Sequence, residues 1–99
     1  MAILAIFTGS ISKDQYEALR AEINWEAKKP KGGIFHCAGF DEAGHIHVAD
    51  VWDSPEAMNQ FVESELLPAF TKLKFAPPNV EVYPAHNINA YGSIDRFKV

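Results

Sequence analysis

The chain has 99 residues, a net charge of −4 and an apolar content of nearly half. One domain of this size buries roughly 65% of its unfolded surface, so the core is thin and some apolar surface is expected to meet a partner. The acidic balance excludes a general attraction to nucleic acid or to anionic lipid.

Ala2–Thr8 is a short apolar run of β-formers ended by Gly9-Ser10, and it reads as a strand buried on both faces. It is too short to span a membrane and carries no preceding basic region, so the expected location is cytoplasmic. Ser12-Lys13-Asp14-Gln15 forms a capping box: the Ser12 hydroxyl accepts from the amide three residues on, and Gln15 reaches back. Tyr16, Leu19 and Ile23 follow at helical spacing, which predicts an amphipathic helix from 13 to about 27. Lys28-Lys29-Pro30-Lys31-Gly32-Gly33 then reads as a solvated loop, with no strand–loop–helix order to make it a phosphate cradle.

Gly33–Asp41 and His45–Asp53 are strand-like and are joined by Asp41-Glu42-Ala43-Gly44, which predicts a hairpin. Cys37 is the only cysteine, so the chain holds no disulfide, as suits a reducing compartment. Its own face offers no histidine or cation, and it reads as a small buried hydrophobe. Ser54-Pro55-Glu56 starts a second helix with a Ser cap, Pro at the first position and an acid in the first turn. Met58, Phe61, Val62, Leu66, Phe70 and Leu73 trace its apolar face, and Pro68 is expected to kink or restart it near Leu66. After the Pro77-Pro78-Asn79 turn, Val80–Tyr83 is the last strand.

The order β-α-β-β-α-β predicts an α+β, ferredoxin-like antiparallel sheet with two helices on one face. The other face of such a sheet should be polar on a monomer. Here neither Ile3, Ala5 and Phe7 nor Ala2, Leu4 and Ile6 form a polar set. A homodimer through the sheet face would cover the second set by a two-fold axis. The competing arrangement is cover by the C-terminal tail, whose Tyr91, Ile94, Phe97 and Val99 also need burial.

With this order and the segment Val51-Trp52-Asp53-Ser54-Pro55-Glu56-Ala57, the chain resembles the dimeric α/β-barrel superfamily, which includes the antibiotic-biosynthesis-monooxygenase-like proteins. Their third strand commonly runs through a Trp into a Ser-capped helix. The likeness covers residues 1–86 as one domain and leaves 87–99 as a tail, packed on its own or a partner subunit. It implies two sheets packed across a dimer and a small-molecule cavity between sheet and helices. The superfamily spans cofactor-free oxygenases, heme-degrading enzymes, cyclases and isomerases, so fold does not choose the activity. The heme-degrading branch ligates heme through a His late in the second helix. Ala69-Phe70-Thr71-Lys72 has none, which argues against that chemistry.

Across a four-residue turn, simple register pairs Phe40 with His45, Ala38 with His47 and His36 with Ala49. His36 and His47 would then share a face beside small residues, bordering room for a ligand. Imidazole titrates near neutrality and suits a general base or oxyanion donor, so His36 is the first catalytic candidate. Asp50, on the face of Val48 and Trp52, is the second, as an acid or base; the plainer reading pairs it with a tail residue such as Arg96. Trp52 and Phe61 are candidate pocket walls. His47, Tyr83 and His86 are candidate substrate contacts, with Asn24 and Trp25 on weaker grounds. Each histidine has a structural alternative, bonded to backbone or water. His45-x-His47 with His36 or Asp53 lacks any metal-binding pattern, so no metal is expected, and no Gly-rich dinucleotide fingerprint implies a cofactor.

The residues and the resemblance together point to a dimeric small-molecule-binding protein. The enzymatic version is a cofactor-independent monooxygenase, or a proton-transfer enzyme, acting on an aromatic or polyketide-like substrate. The competing version is a non-catalytic binding or assembly module.

Overall fold

The computed structural model describes residues 1–99. Its elements are β1 (Ile3–Gly9), α1 (Lys13–Ile23), β2 (Gly33–Phe40), β3 (Ile46–Trp52), α2 (Pro55–Phe61), a π-helical turn (Val62–Leu66), α3 (Leu67–Leu73) and β4 (Asn79–Pro84), followed by a 3-10 turn at Gly92–Arg96. The sheet order is β2-β3-β1-β4 and every pair is antiparallel. This is the ferredoxin-like α+β arrangement. No helix is long and apolar enough to cross a membrane.

Both helix starts follow their caps. Ser12 accepts from the Gln15 amide while Gln15 returns a bond to the Ser12 amide, and Ser54 accepts from the Ala57 amide. Helix α1 stops at Ile23, short of the expected 27, because Asn24 enters the left-handed region at φ 60° and its N–H bonds back to Arg20. That turn brings Trp25 back onto the sheet side of the helix, against Tyr16. The second helix is interrupted where Pro68 demands it. Pro68 has no N–H to offer the preceding turn, and the ladder widens over Val62–Leu66, with the Leu67 N–H reaching Val62. Phe61, Leu66 and Phe70 consequently all face the same cleft.

The hairpin corrects the expected register. Asp41 and His45 pair through the Asp41 N–H, so the loop is three residues, Glu42-Ala43-Gly44, with Gly44 at φ 82°. The Asp41 carboxylate accepts from the amides of Ala43 and His45 and fixes this turn. The true pairs are Phe40–Ile46, Ala38–Val48 and His36–Asp50. One residue of slip exchanges faces. Asp50 joins His36, and His47 leaves for the other side opposite Gly39. Phe35 and Cys37 lie opposite Val51 and Ala49, on the face turned away from the helices. Cys37 is exposed in the single chain, not buried.

The core lies between the sheet and the helices. Ile3, Ala5, Phe7, Ile46, Val48 and Trp52 meet Ile11, Leu19, Ile23, Met58, Ala69 and Phe70. The tail packs little: Tyr91, Phe97 and Val99 remain 73%, 76% and 90% exposed.

Candidate functional site

Asp50 is the one charged or polar residue buried in this core, at 8% exposure. A buried carboxylate needs hydrogen bonds, and it has two. Its Oδ1 lies 2.6 Å from His36 Nδ1, and its Oδ2 accepts from the Trp52 indole at 3.4 Å. Strands β2 and β3 set the first contact by placing the two residues directly opposite each other. Period-two alternation sets the second, because residues 50 and 52 share a face. Arg96 pairs with neither; its guanidinium lies over Phe97.

The row of bonds continues outward. Tyr16 Oη is 2.7 Å from His36 Nε2. The phenol and imidazole planes are parallel within 1°, with centroids 6.2 Å apart. At that separation, with a bond joining their edges, the rings lie side by side in one plane instead of stacking. Tyr16 is held by an edge contact with Phe40 and a tilted one with Trp25, and Trp25 also touches the His36 ring. Burial is the main reason the Tyr16 phenol is pushed up to about 12, followed by the nearby charge of Glu26.

These groups line one wall of a cleft of about 280 Å³ between the sheet and the helices. Trp52 and Phe61, 5.4 Å apart between ring centroids, line it with Leu66 and Phe70 from the second helix. Trp25, Lys29 and Pro30 border it from the loop after α1. A mostly apolar, aromatic-walled volume with a few convergent polar groups is the usual form of a small-molecule site.

Of the residues singled out above, His36, Asp50, Trp52 and Phe61 come together at this cleft, with Trp25. His47, Tyr83 and His86 do not border it. His47 is exposed beside the hairpin turn and bonds the Asp41 carboxylate at 2.8 Å, which helps hold that carboxyl below its usual range. Tyr83 sits opposite Leu4 on the outer face and bonds Glu81. His86 is exposed beyond β4. Asn24 serves the helix cap. No three His, Cys, Asp or Glu side chains are placed to hold a metal ion. Tyr16 is the residue that sequence reasoning treated only as part of a helical stripe. Its signal was the hydroxyl: a tyrosine facing a sheet must find a polar partner there, and His36 is the one available.

No protein-family model matches the chain, and no curated protein matches it by sequence. Solved structures do match. A protein of Chloroflexus aurantiacus J-10-fl classed with the antibiotic biosynthesis monooxygenases superposes with a TM-score of 0.67 at 18% identity, over 93% of this chain and 100% of its own. Rv0793 from Mycobacterium tuberculosis gives 0.68 at 14% identity, over 91% and 100%. SnoaB, a cofactor-independent oxygenase from Streptomyces nogalater, gives 0.60 at 15% identity, over 88% and 93%. The chain therefore has the ferredoxin-like fold of the antibiotic-biosynthesis-monooxygenase-like proteins.

Proposed function

We propose that the chain works as a homodimer joined through the outer face of its sheet, and that each cleft binds a small, mostly apolar aromatic or polyketide-like molecule. We further propose that it oxygenates that molecule without a cofactor, as SnoaB is described to do on the same fold. The observation that carries this reading is the Asp50–His36 pair at 2.6 Å on the wall of an aromatic cleft.

The chemistry follows from that pair. His36 takes a proton from an acidic position of the bound molecule, and the Asp50 carboxylate orients and stabilises the imidazolium that forms. The deprotonated substrate is electron-rich enough to reduce dioxygen itself. Over the reaction the substrate supplies all four electrons and loses two hydrogens, so that one oxygen atom ends in the substrate and the other leaves with those hydrogens as water. Trp52 and Phe61 hold the ring flat and keep bulk water away from the anion.

The test is dioxygen consumption with hydroquinone and anthrone probes across a pH series. The parent is expected to lose rate on the acid side as its base becomes protonated. His36→Ala is expected to lower kcat by about 10²-fold or more and to abolish that limb. A variant that binds and turns over the probes as the parent does, with the same profile, removes His36 from the chemistry and leaves a binding module.

A further inference from the structure

The two nitrogens of His36 have unequal work. An ionised Asp50 only accepts, so the proton between it and His36 sits on Nδ1. The basic nitrogen is then Nε2, and its lone pair is already occupied by the Tyr16 hydroxyl at 2.7 Å. Tyr16 is not loosely placed there. Its ring is held between Trp25 and Phe40, and helix α1 behind it is closed by a complete capping box. No ligand proton reaches Nε2 directly while that contact holds. Tyr16 is one of the residues lining the cleft, and its hydroxyl oxygen, with the proton given to His36, keeps a lone pair to accept with.

From this arrangement we infer that Tyr16 is the group that meets the ligand, accepting a proton from a ligand hydroxyl while passing its own to His36 Nε2. The inference rests on the function proposed above and narrows its substrate class. A relay through a phenolic oxygen needs a short O–H···O contact, which a phenol or enol makes and a C–H acid does not. The ligand is therefore an aromatic or conjugated molecule with an acidic hydroxyl. In the step, the ligand O–H bond breaks and a new Tyr16 O–H bond forms. The old Tyr16 O–H bond breaks and an Nε2–H bond forms. The products are a ligand oxyanion, a neutral Tyr16 and an imidazolium beside the Asp50 carboxylate, so net charge is unchanged. Burial, with Glu26, Glu17 and Asp50 opposing Arg20, keeps the phenol protonated well into alkaline solution. A free phenolate is thus not a stopping point, and the two protons move together.

Two measurements test the relay. In the free protein, labelled imidazole nitrogens observed by NMR in mildly alkaline solution should show His36 with Nδ1 protonated and Nε2 bare, and Tyr16→Phe should shift Nε2. In turnover with 1,4-naphthohydroquinone, Tyr16→Phe should lower kcat about tenfold or more with KM changed far less. The curved dependence of rate on deuterium fraction should become linear. 1,4-Dimethoxynaphthalene, with the same ring and no hydroxyl, should bind the parent and Tyr16→Phe equally. A proton found on Nε2 of neutral His36 overturns the relay. So does a Tyr16→Phe protein with parental kcat and curvature, and if His36→Ala is inactive in the same assay the proposed function survives. A parent that consumes none of the probes removes both.

Discussion

The two faces of the sheet are both apolar, yet they differ in what interrupts them. The helix-side face carries Ile3, Ala5, Phe7, Ile46, Val48 and Trp52, and among them one buried carboxylate tied to a histidine, a tryptophan and, through the histidine, a tyrosine. The outer face carries Leu4, Ile6, Phe35, Cys37, Ala49, Val51 and Tyr83, with no comparable row of bonds. Burying a carboxylate is costly, so a face built only for packing would not keep one. On the function proposed above, the first face is a core opened to hold chemistry. The second is a surface fit to be covered, and Phe35 and Tyr83 stand 38% and 48% exposed on it in the single chain.

The largest expected effect lies on the outer face. In the proposed dimer, Val51→Glu would put a carboxylate from each subunit into the interface between the two sheets. Leaving such a charge unpaired in a dry interface costs several kcal/mol, enough to separate micromolar dimers. Sedimentation should show the parent as a dimer and the variant as a monomer. A parent that sediments as a folded single chain removes the dimer, and with it the reason for an apolar second face.

The next effect lies on the helix-side face. Asp50→Ala strips the acceptor from both the His36 ring and the Trp52 indole, leaving two donors at the edge of the core. An unsatisfied buried donor costs about 1–3 kcal/mol, and the 3.4 Å indole bond is already long, so about 2–3 kcal/mol in total is expected from urea denaturation. Ala49→Gly, a neighbour on the outer face, touches none of these bonds and serves as the control. Equal losses would mean the carboxylate contributes only shape.

A smaller effect is linked to pH. Tyr16 is raised from 10.0 to about 12 on folding, so the unfolded chain releases this proton first. Its contribution is complete below pH 10 and is lost as pH rises through 12. The group is only half buried, so solvent screening trims the full linkage value to about 1–2 kcal/mol. Stability of the parent should fall over that window more steeply than that of Tyr16→Phe. Parallel curves would place the Tyr16 phenol in water.

The fold was legible because each element carries its own punctuation. A capping box at Ser12, a serine cap at Ser54, Gly9-Ser10 and Pro77-Pro78 bound the helices and strands without reference to the rest of the chain. Trp52 running into Ser54-Pro55 marked the β3–α2 junction. The pairing of His36 with Asp50 was not read in advance, although both residues were singled out, since the two were expected on opposite faces. The reason is a single count. Leaving Asp41 unpaired makes a four-residue turn, whereas the Asp41 N–H bonds the His45 carbonyl just beyond the strand ends and Gly44 supplies a left-handed position in a three-residue one. Contacts between distant elements, such as Tyr16 on α1 with His36 on β2, depend on that register and were hidden with it.

The turn that sets the register also gives the mildest expected effect, and it separates two kinds of glycine. At Gly32, φ is 85° and an added Cβ would lie 2.6 Å from both Ala57 Cβ and Asp53 Oδ1, so conformation and crowding act together. At Gly44, φ is 82° and an added Cβ meets nothing within 4 Å, so only the backbone resists. Gly44→Ala should therefore cost about 1–2 kcal/mol, the ordinary cost of a left-handed non-glycine residue. Gly44→Asn should cost less, since asparagine visits that region readily. Gly32→Ala should cost more than either, by the repulsion at Ala57 and Asp53. Thermal unfolding of the three variants ranks them directly. If Gly44→Asn is as damaging as Gly44→Ala, the turn is not the left-handed three-residue loop, and the alignment of His36 with Asp50 loses its local cause.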